Sequence, residues 1–239
     1  MSVALPASQT RPPPPAVPFA AGIWRDNPAL VQLLGLCPLL AITTTVIQAL
    51  TLGLVTLFTL CASNTMVSVL RRWLRPEIRI AVAVLIIAGA VSAAEMILAA
   101  WFHVLYLKLG IYVPLVVTNC AILARAEAYA RHHPPFAALR DGAAYGTGFL
   151  LALLVLGALR EWLGHGSLLR DAELLFGSAG AGWVIGNAAG HHGLLIALLP
   201  PGAFILLALI IVARRWIERQ IERQSAPPAV PSGLLRPAP

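Results

Sequence analysis

Two cysteines stand in near-duplicate surroundings. Cys37 lies in "LGLCPLLAITTT" (34–45) and Cys120 in "LGIYVPLVVTNCAIL" (109–123), each inside an apolar run that also carries a proline. A thiolate is a soft ligand, suited to iron–sulfur clusters, zinc or copper(I). Two thiolates complete only half of a four-cysteine site, so a metal held here needs a partner chain to supply the rest. The competing reading of an intramembrane cysteine is a small buried hydrophobe. That reading suits the third cysteine, Cys61, which has neither a counterpart nor an adjacent helix breaker.

The elements that must position these cysteines follow from composition. The chain of 239 residues is 59% hydrophobic and 11% charged, with a mean hydropathy of +0.80. Soluble domains carry about 25% charged residues, so a soluble fold is excluded. The apolar residues fall in six blocks, at 28–48, 50–70, 80–102, 109–130, 142–163 and 193–213. Each has the roughly 20 residues that a helix needs to cross about 30 Å of hydrocarbon. The blocks are continuous rather than alternating, which argues against strands. The expected fold is an all-α membrane protein with six transmembrane helices.

The ends are different in character. Residues 1–22 ("LPASQTRPPPPAVP" within them) and 221–239 are Pro-rich and read as disordered tails flanking a membrane domain over 23–220. The N-terminal stretch lacks the basic start and short apolar core of a cleavable signal peptide.

A net charge of +7 could suggest nucleic acid, but its placement points to a membrane. If both termini share one side, that side carries 14 of the 17 basic residues, and the other only Lys108, Arg160 and Arg170. By the positive-inside rule, both termini are expected in the cytoplasm. Trp24, Trp73, Trp101, Trp162 and Trp216 all fall near expected span ends, where indole rings favour the interface.

Aligning Pro38-Leu39 with Pro114-Leu115 suggests a repeat of three spans plus three, about 28–102 and 109–213. Three crossings separate the copies, so the halves have inverted topology, a plan associated with midplane sites on broken helices. Cys37 lies about 15 Å of helix beyond Asn27, and Cys120 about 18 Å beyond Lys108, which places both near the bilayer centre. A structural disulfide is not expected at that depth. Proline disfavours the α conformation in the residue before it, so spans 1 and 4 are expected to break beside the cysteines. Pro38 can start the next half-helix, leaving Cys37 near its N-terminus, where the helix dipole favours the thiolate. Pro114 is expected to leave amides free near Thr118, Asn119 and Cys120.

The stretches "NPALVQLLGLCPLLAITTT", "EIRIAVAVLIIA", "LGIYVPLVVTNCAILARAEAYA", "VLGALREWLGHGSL" and "LLPPGAF", spread over about 25–215, resemble the E-subunit family of the Rnf (Rsx) ion-translocating electron-transport complex. That family is similar to the D subunit of the sodium-translocating NADH:quinone oxidoreductase. The resemblance implies a multi-pass protein of the bacterial inner membrane within a translocase-type oxidoreductase. It implies that Cys37 and Cys120 bind a [2Fe–2S] cluster shared with the homologous A subunit of opposite topology. It further implies electron relay between cytoplasmic NADH- or ferredoxin-linked subunits and outer-side flavin subunits, with no residue acting catalytically in this chain. Departures from the family pattern are His165 and Ser167, where Asn and Thr are expected, and Glu95, where an uncharged residue is expected.

Two other function classes share some of these features. A secondary transporter also uses inverted repeats, but no strong substrate constellation lies at the expected midplane. A structural membrane subunit would leave the paired cysteines unexplained.

Remaining motifs carry less. Glu95, inside the third block, is either an ion-handling acid or a hydrogen-bonded interior residue near the outer end. Arg125 and Glu127 read as interfacial anchors. The histidine pairs 132–133 and 191–192 read as solvated, because adjacent helical residues point in different directions. "GAGWVIG" (180–186) follows no strand and reads as loop glycine, while "GAAYG" (142–146) reads as a helix-packing face.

Overall fold

The computed structural model describes residues 24, 27–73, 75, 78–167 and 195–225, with side chains in the last stretch over 196–221. Residues 1–22 and 226–239, the 180–186 motif and the 191–192 histidines lie outside the described residues. Residues 221–225, read from sequence as the start of the C-terminal tail, instead continue the last helix. Every regular element among the described residues is helical. In order these are α1 (Leu36–Ile42), α2 (Val46–Leu70), α3 (Arg79–Trp101), α4 (His103–Leu109) and a 3-10 turn (Val113–Val116). Then follow α5 (Cys120–Arg125), a π turn (Ala126–Ala130), α6 (Pro135–His165), α7 (Leu195–Leu198) and α8 (Pro200–Ser225).

Four of these helices, α2, α3, α6 and α8, are long and apolar enough to cross a membrane. A fifth crossing is formed if α4 and residues 113–130, which meet at a 66° bend, are one span. The stretch expected as the first span, 28–48, is helical only over α1 before α2 begins. Its start is irregular because Leu33 and Gly35 both take positive φ, 54° and 74°, values that an α-helix cannot continue through. Asn27 opens the stretch: its Oδ1 accepts from the amides of Ala29 and Leu30, and its Nδ2 donates to Gly148 O at 2.8 Å.

α2 shows how polar residues are carried inside an apolar span. Its N-cap Thr45 is extended and accepts from Gln48 N. The hydroxyls of Thr51, Thr56 and Thr59 each donate to the carbonyl four residues back. Bonded in this way, a buried hydroxyl avoids the cost of an unpaired polar group.

The centre of the fold is the α2–α6 pair. A Cβ added at Gly142 would stand 3.1 Å from Leu60 O, and one at Gly146 would stand 3.1 Å from the Leu57 Cα. The "GAAYG" stretch is thus the packing face expected from its small residues, which let two backbones approach closely. Leu39, Leu52, Ile87, Leu105, Ile122, Phe149 and Leu153 fill the core around this pair. α3 contributes Ile87 and Val91 to the core but turns most of its surface outward, with Leu85 71% and Met96 73% exposed. In a membrane such a face meets lipid or a neighbouring protein chain.

Candidate functional site

The two cysteines lie at the starts of two short helices. Cys37 is the second residue of α1 and Cys120 the first of α5. α1 starts after the left-handed Gly35, and Pro38 falls within its first turn, where a missing N–H costs nothing because that amide has no intrahelical acceptor. α5 starts after Asn119, whose extended backbone lets its side chain cap the helix by accepting from Ala121 N at 3.0 Å.

These two starts touch. The Gly35 amide donates to Cys120 Sγ at 3.3 Å, across 85 residues of chain. Only glycine fits there: besides the positive φ, a Cβ would stand 2.7 Å from Asn119 Oδ1 and 2.9 Å from the Phe149 ring. Gly35, Pro38, Leu39, Asn119 and Ala121 are buried, whereas Cys37 and Cys120 are both exposed. The thiols are therefore presented outward from a buried seat. Cys61 lies within the continuous α2, half-buried, and its carbonyl accepts from Thr65 Oγ1 as in ordinary helix.

One local expectation is corrected. The Asn119 amide is not free, because it donates to Val116 O at 3.2 Å within its own turn. The amide aimed at sulfur comes instead from Gly35. Asn119 does leave a different donor unused: its buried Nδ2 has no hydrogen-bond partner among the described residues.

The donor set fits half of a four-thiolate centre. Two exposed thiols, an amide already aimed at one sulfur and an orphaned amide side chain beside them suit a group with acceptor sulfurs and negative charge. Among the described residues no cluster of three or more His, Cys, Asp or Glu could hold a metal. The described residues by themselves therefore supply only part of a ligand set for such a group.

The structure also assigns roles to charges that the sequence pattern suggests lie elsewhere. Arg160, counted as an outer-loop charge, is only 1% exposed. Its Nη1 donates to Leu40 O (3.2 Å) and Thr43 Oγ1 (2.9 Å), its Nε to Ala197 O (3.1 Å) and its Nη2 to Leu198 O (2.6 Å). The adjacent Glu161, fully buried, accepts from Val46 N at 2.7 Å, at the first residue of α2. The available signal is an Arg-Glu pair inside an apolar block, since intramembrane charges default to functional roles.

Arg125 is likewise not an interfacial anchor. It is buried, forms a bidentate ion pair with Asp141 and lies 3.8 Å from the Tyr145 ring centroid. Directly after it the chain turns to π geometry over Ala126–Ala130, where buried Tyr129 stacks on His133. Glu127 is half-exposed and pairs with Arg79 and Arg131, joining α3 to the π turn. His132 is exposed and His133 accompanies Tyr129; neither enters a metal cluster among the described residues. Glu95 is half-buried and accepts from Tyr106 Oη at 3.4 Å, the hydrogen-bonded arrangement considered for it.

Residues 17–211 match the family described as Rnf-Nqr subunit, membrane protein. A relative from Thioalkalivibrio sulfidiphilus, named as the E subunit of an ion-translocating oxidoreductase complex, is 57% identical over 213 residues, covering 89% of this chain and 93% of its own. Relatives of the same name from Pseudomonas aeruginosa and Edwardsiella ictaluri are each 48% identical, over 85% and 92% of this chain and 86% and 94% of theirs. With cysteine motifs, charge placement and helical membrane architecture in accord, the chain belongs to the Rnf-Nqr family of membrane subunits.

Proposed function

We propose that this chain serves as the E-type subunit of an ion-translocating oxidoreductase complex. In this reading Cys37 and Cys120 supply two of the four thiolates of a [2Fe–2S] cluster, and a homologous A-type subunit of opposite topology supplies the others. The reading extends to a six-span plan of two inverted three-helix halves with helix breaks in spans 1 and 4, in the bacterial inner membrane with both termini cytoplasmic.

The contact between the Gly35 amide and the Cys120 sulfur supports this most directly, because it joins the two cysteine-bearing breaks at one exposed face. Position supports it too. α1 is seven residues, about 10 Å long, and ends shortly before α2 begins, a separation that would hold Cys37 below the interface if α2 starts its crossing there.

When bound, the cluster supplies a one-electron carrier part-way across about 30 Å of lipid, dividing a distance too long for a single transfer. The chain's own residues do the rest. Gly35 donates to sulfur, an arrangement that would favour the added negative charge of a reduced cluster. Asn119 fixes the start of α5, and Phe149 and Leu39 close the inner side of the seat against water. Donors on the cytoplasmic side would be NADH- or ferredoxin-linked subunits, and acceptors on the outer side flavin-bearing subunits.

Iron content and the reducible spectrum of the purified complex test the reading, with assembly checked separately by subunit stoichiometry. Cys37→Ala and Cys120→Ala should each lose the signal, while Cys61→Ser keeps it. Retention in both alanine variants ends the ligand assignment. Loss in an assembled Cys61→Ser complex shows that a different pair is used.

A further inference from the structure

We propose that Arg160 is a positioning residue and buried counter-charge for the cluster ligand Cys37, setting the reduction potential of the centre. This rests on the cluster reading above.

α1 cannot hold itself in place. Seven residues are too few for a helix to be stable alone, its start leaves a left-handed glycine, and its carbonyl end faces a low-dielectric interior. Arg160 secures that end. One nitrogen, Nη1, binds both Leu40 O and Thr43 Oγ1, and the Thr43 hydroxyl in turn donates to Leu39 O at 2.7 Å. The other nitrogens grip Ala197 O and Leu198 O, so a single planar guanidinium ties the end of α1 to α7 and to the body of α6. Lysine has one ammonium group and cannot span these four acceptors at once. Glu161 holds the far side of the 43–45 turn through Val46 N, so neighbouring residues of α6 fix the turn at both ends.

The charge matters as well as the shape. The four hydrogen-bond acceptors of Arg160 are neutral oxygens. The buried carboxylate of Glu161, next to it on α6, is engaged with Val46 N at the far side of the turn. A buried cation is costly to the extent that its charge is not opposed. A four-thiolate iron–sulfur centre carries net negative charge and gains one more on reduction. Cys37 lies six residues before Thr43, roughly 9 Å along a helix. At that range in a protein interior, Coulomb attraction between a cation and a centre of negative charge is only partly screened. Such an interaction favours the reduced centre. A cation at the carbonyl end of α1 also suits the sign of the peptide dipoles there.

The test is a redox titration of the purified complex followed by electron paramagnetic resonance, with iron per assembled complex measured in parallel. Arg160→Met should retain at least part of the iron but lower the midpoint potential by about 59 mV, tenfold in the reduction constant of a one-electron couple. Arg160→Lys should restore most of the potential, because the charge returns, while the resonance line shape stays altered, because the four-point grip does not. A purely structural role would change iron content without this split. Should Arg160→Met fail to assemble, Thr43→Val decides: it removes one acceptor and no charge, and should alter the line shape with little change in midpoint.

An unmoved midpoint in assembled Arg160→Met overturns the proposal whatever the line shape, as does a wild-type line shape in Thr43→Val where the methionine variant is not obtained. Absence of any iron–sulfur signal from the unsubstituted complex overturns the cluster reading and this one with it. A normal wild-type signal with an unmoved Arg160→Met midpoint overturns only this one.

Discussion

Gly35 and Asn119 meet so closely that a single methyl group would not fit between them. The Gly35 backbone is left-handed at φ 74°, its amide points to the Cys120 sulfur, and the site of a Cβ is 2.7 Å from Asn119 Oδ1. Gly35→Ala therefore adds strain twice. The left-handed conformation costs about 1–2 kcal/mol for a residue with a Cβ, and Asn119 must give up its cap on Ala121 N to make room, costing about 1 kcal/mol more. The expected outcome is a complex that assembles with reduced yield and loses most of its iron–sulfur signal. Iron per assembled complex measures it, and full retention would show that the two helix starts tolerate separation.

The buried Arg125–Asp141 pair gives a second expectation. Both side chains are largely inaccessible, with 10% and 4% of their surface exposed. Removing one member of such a pair leaves the other as an uncompensated buried charge, costing about 3–5 kcal/mol, whereas replacing both by apolar groups is often neutral. Asp141→Asn should destabilise the detergent-solubilised protein by about 3 kcal/mol. The double substitution Arg125→Met with Asp141→Leu should recover most of that loss. Denaturant unfolding of the three proteins checks it: a double variant no better than the single would mean that the pair contributes favourably as a pair.

The parts of this fold that can be read from sequence are those expressed as runs and breakers. The apolar block over 80–102 forms α3 nearly residue for residue, since nothing inside it interrupts helix formation. The prolines mark the neighbourhood of both cysteines, and the small residues of 142–146 mark a tight helix contact. What escapes is tertiary. A glycine within an apolar run gives no sign of its φ, so Pro38 draws attention as the breaker of the first span, whereas the break lies at Leu33 and Gly35. Arg160 reads as a loop charge because it falls close to a span end. α6 is 31 residues long, however, and its last turns remain packed against α1, α2 and α7 rather than emerging. Asp141 stands one residue outside an apolar block, and nothing in a sequence joins it to Arg125 sixteen residues earlier.

Topology supplies the last expectation. Arg125, Arg160 and Arg214 are buried, so none of them belongs in a tally of loop charges, which becomes 12 on the side of the termini against Lys108 and Arg170 on the other. The bias survives the correction, because only two residues leave the richly charged side and one leaves the other. Orientation follows Lys and Arg within short loops near span ends. Arg71, Arg72, Arg75, Arg131, Arg140, Arg215 and Arg219 hold such places, at the ends of α2, α6 and α8. A fluorescent reporter fused after Gln220 should fluoresce as a cytoplasmic protein does, and alkaline phosphatase fused at the same point should be inactive. Phosphatase fused after Lys108, on the sparsely charged side, should be active. Active phosphatase after Gln220 would invert the assignment, and with it the side from which each cysteine-bearing break is approached.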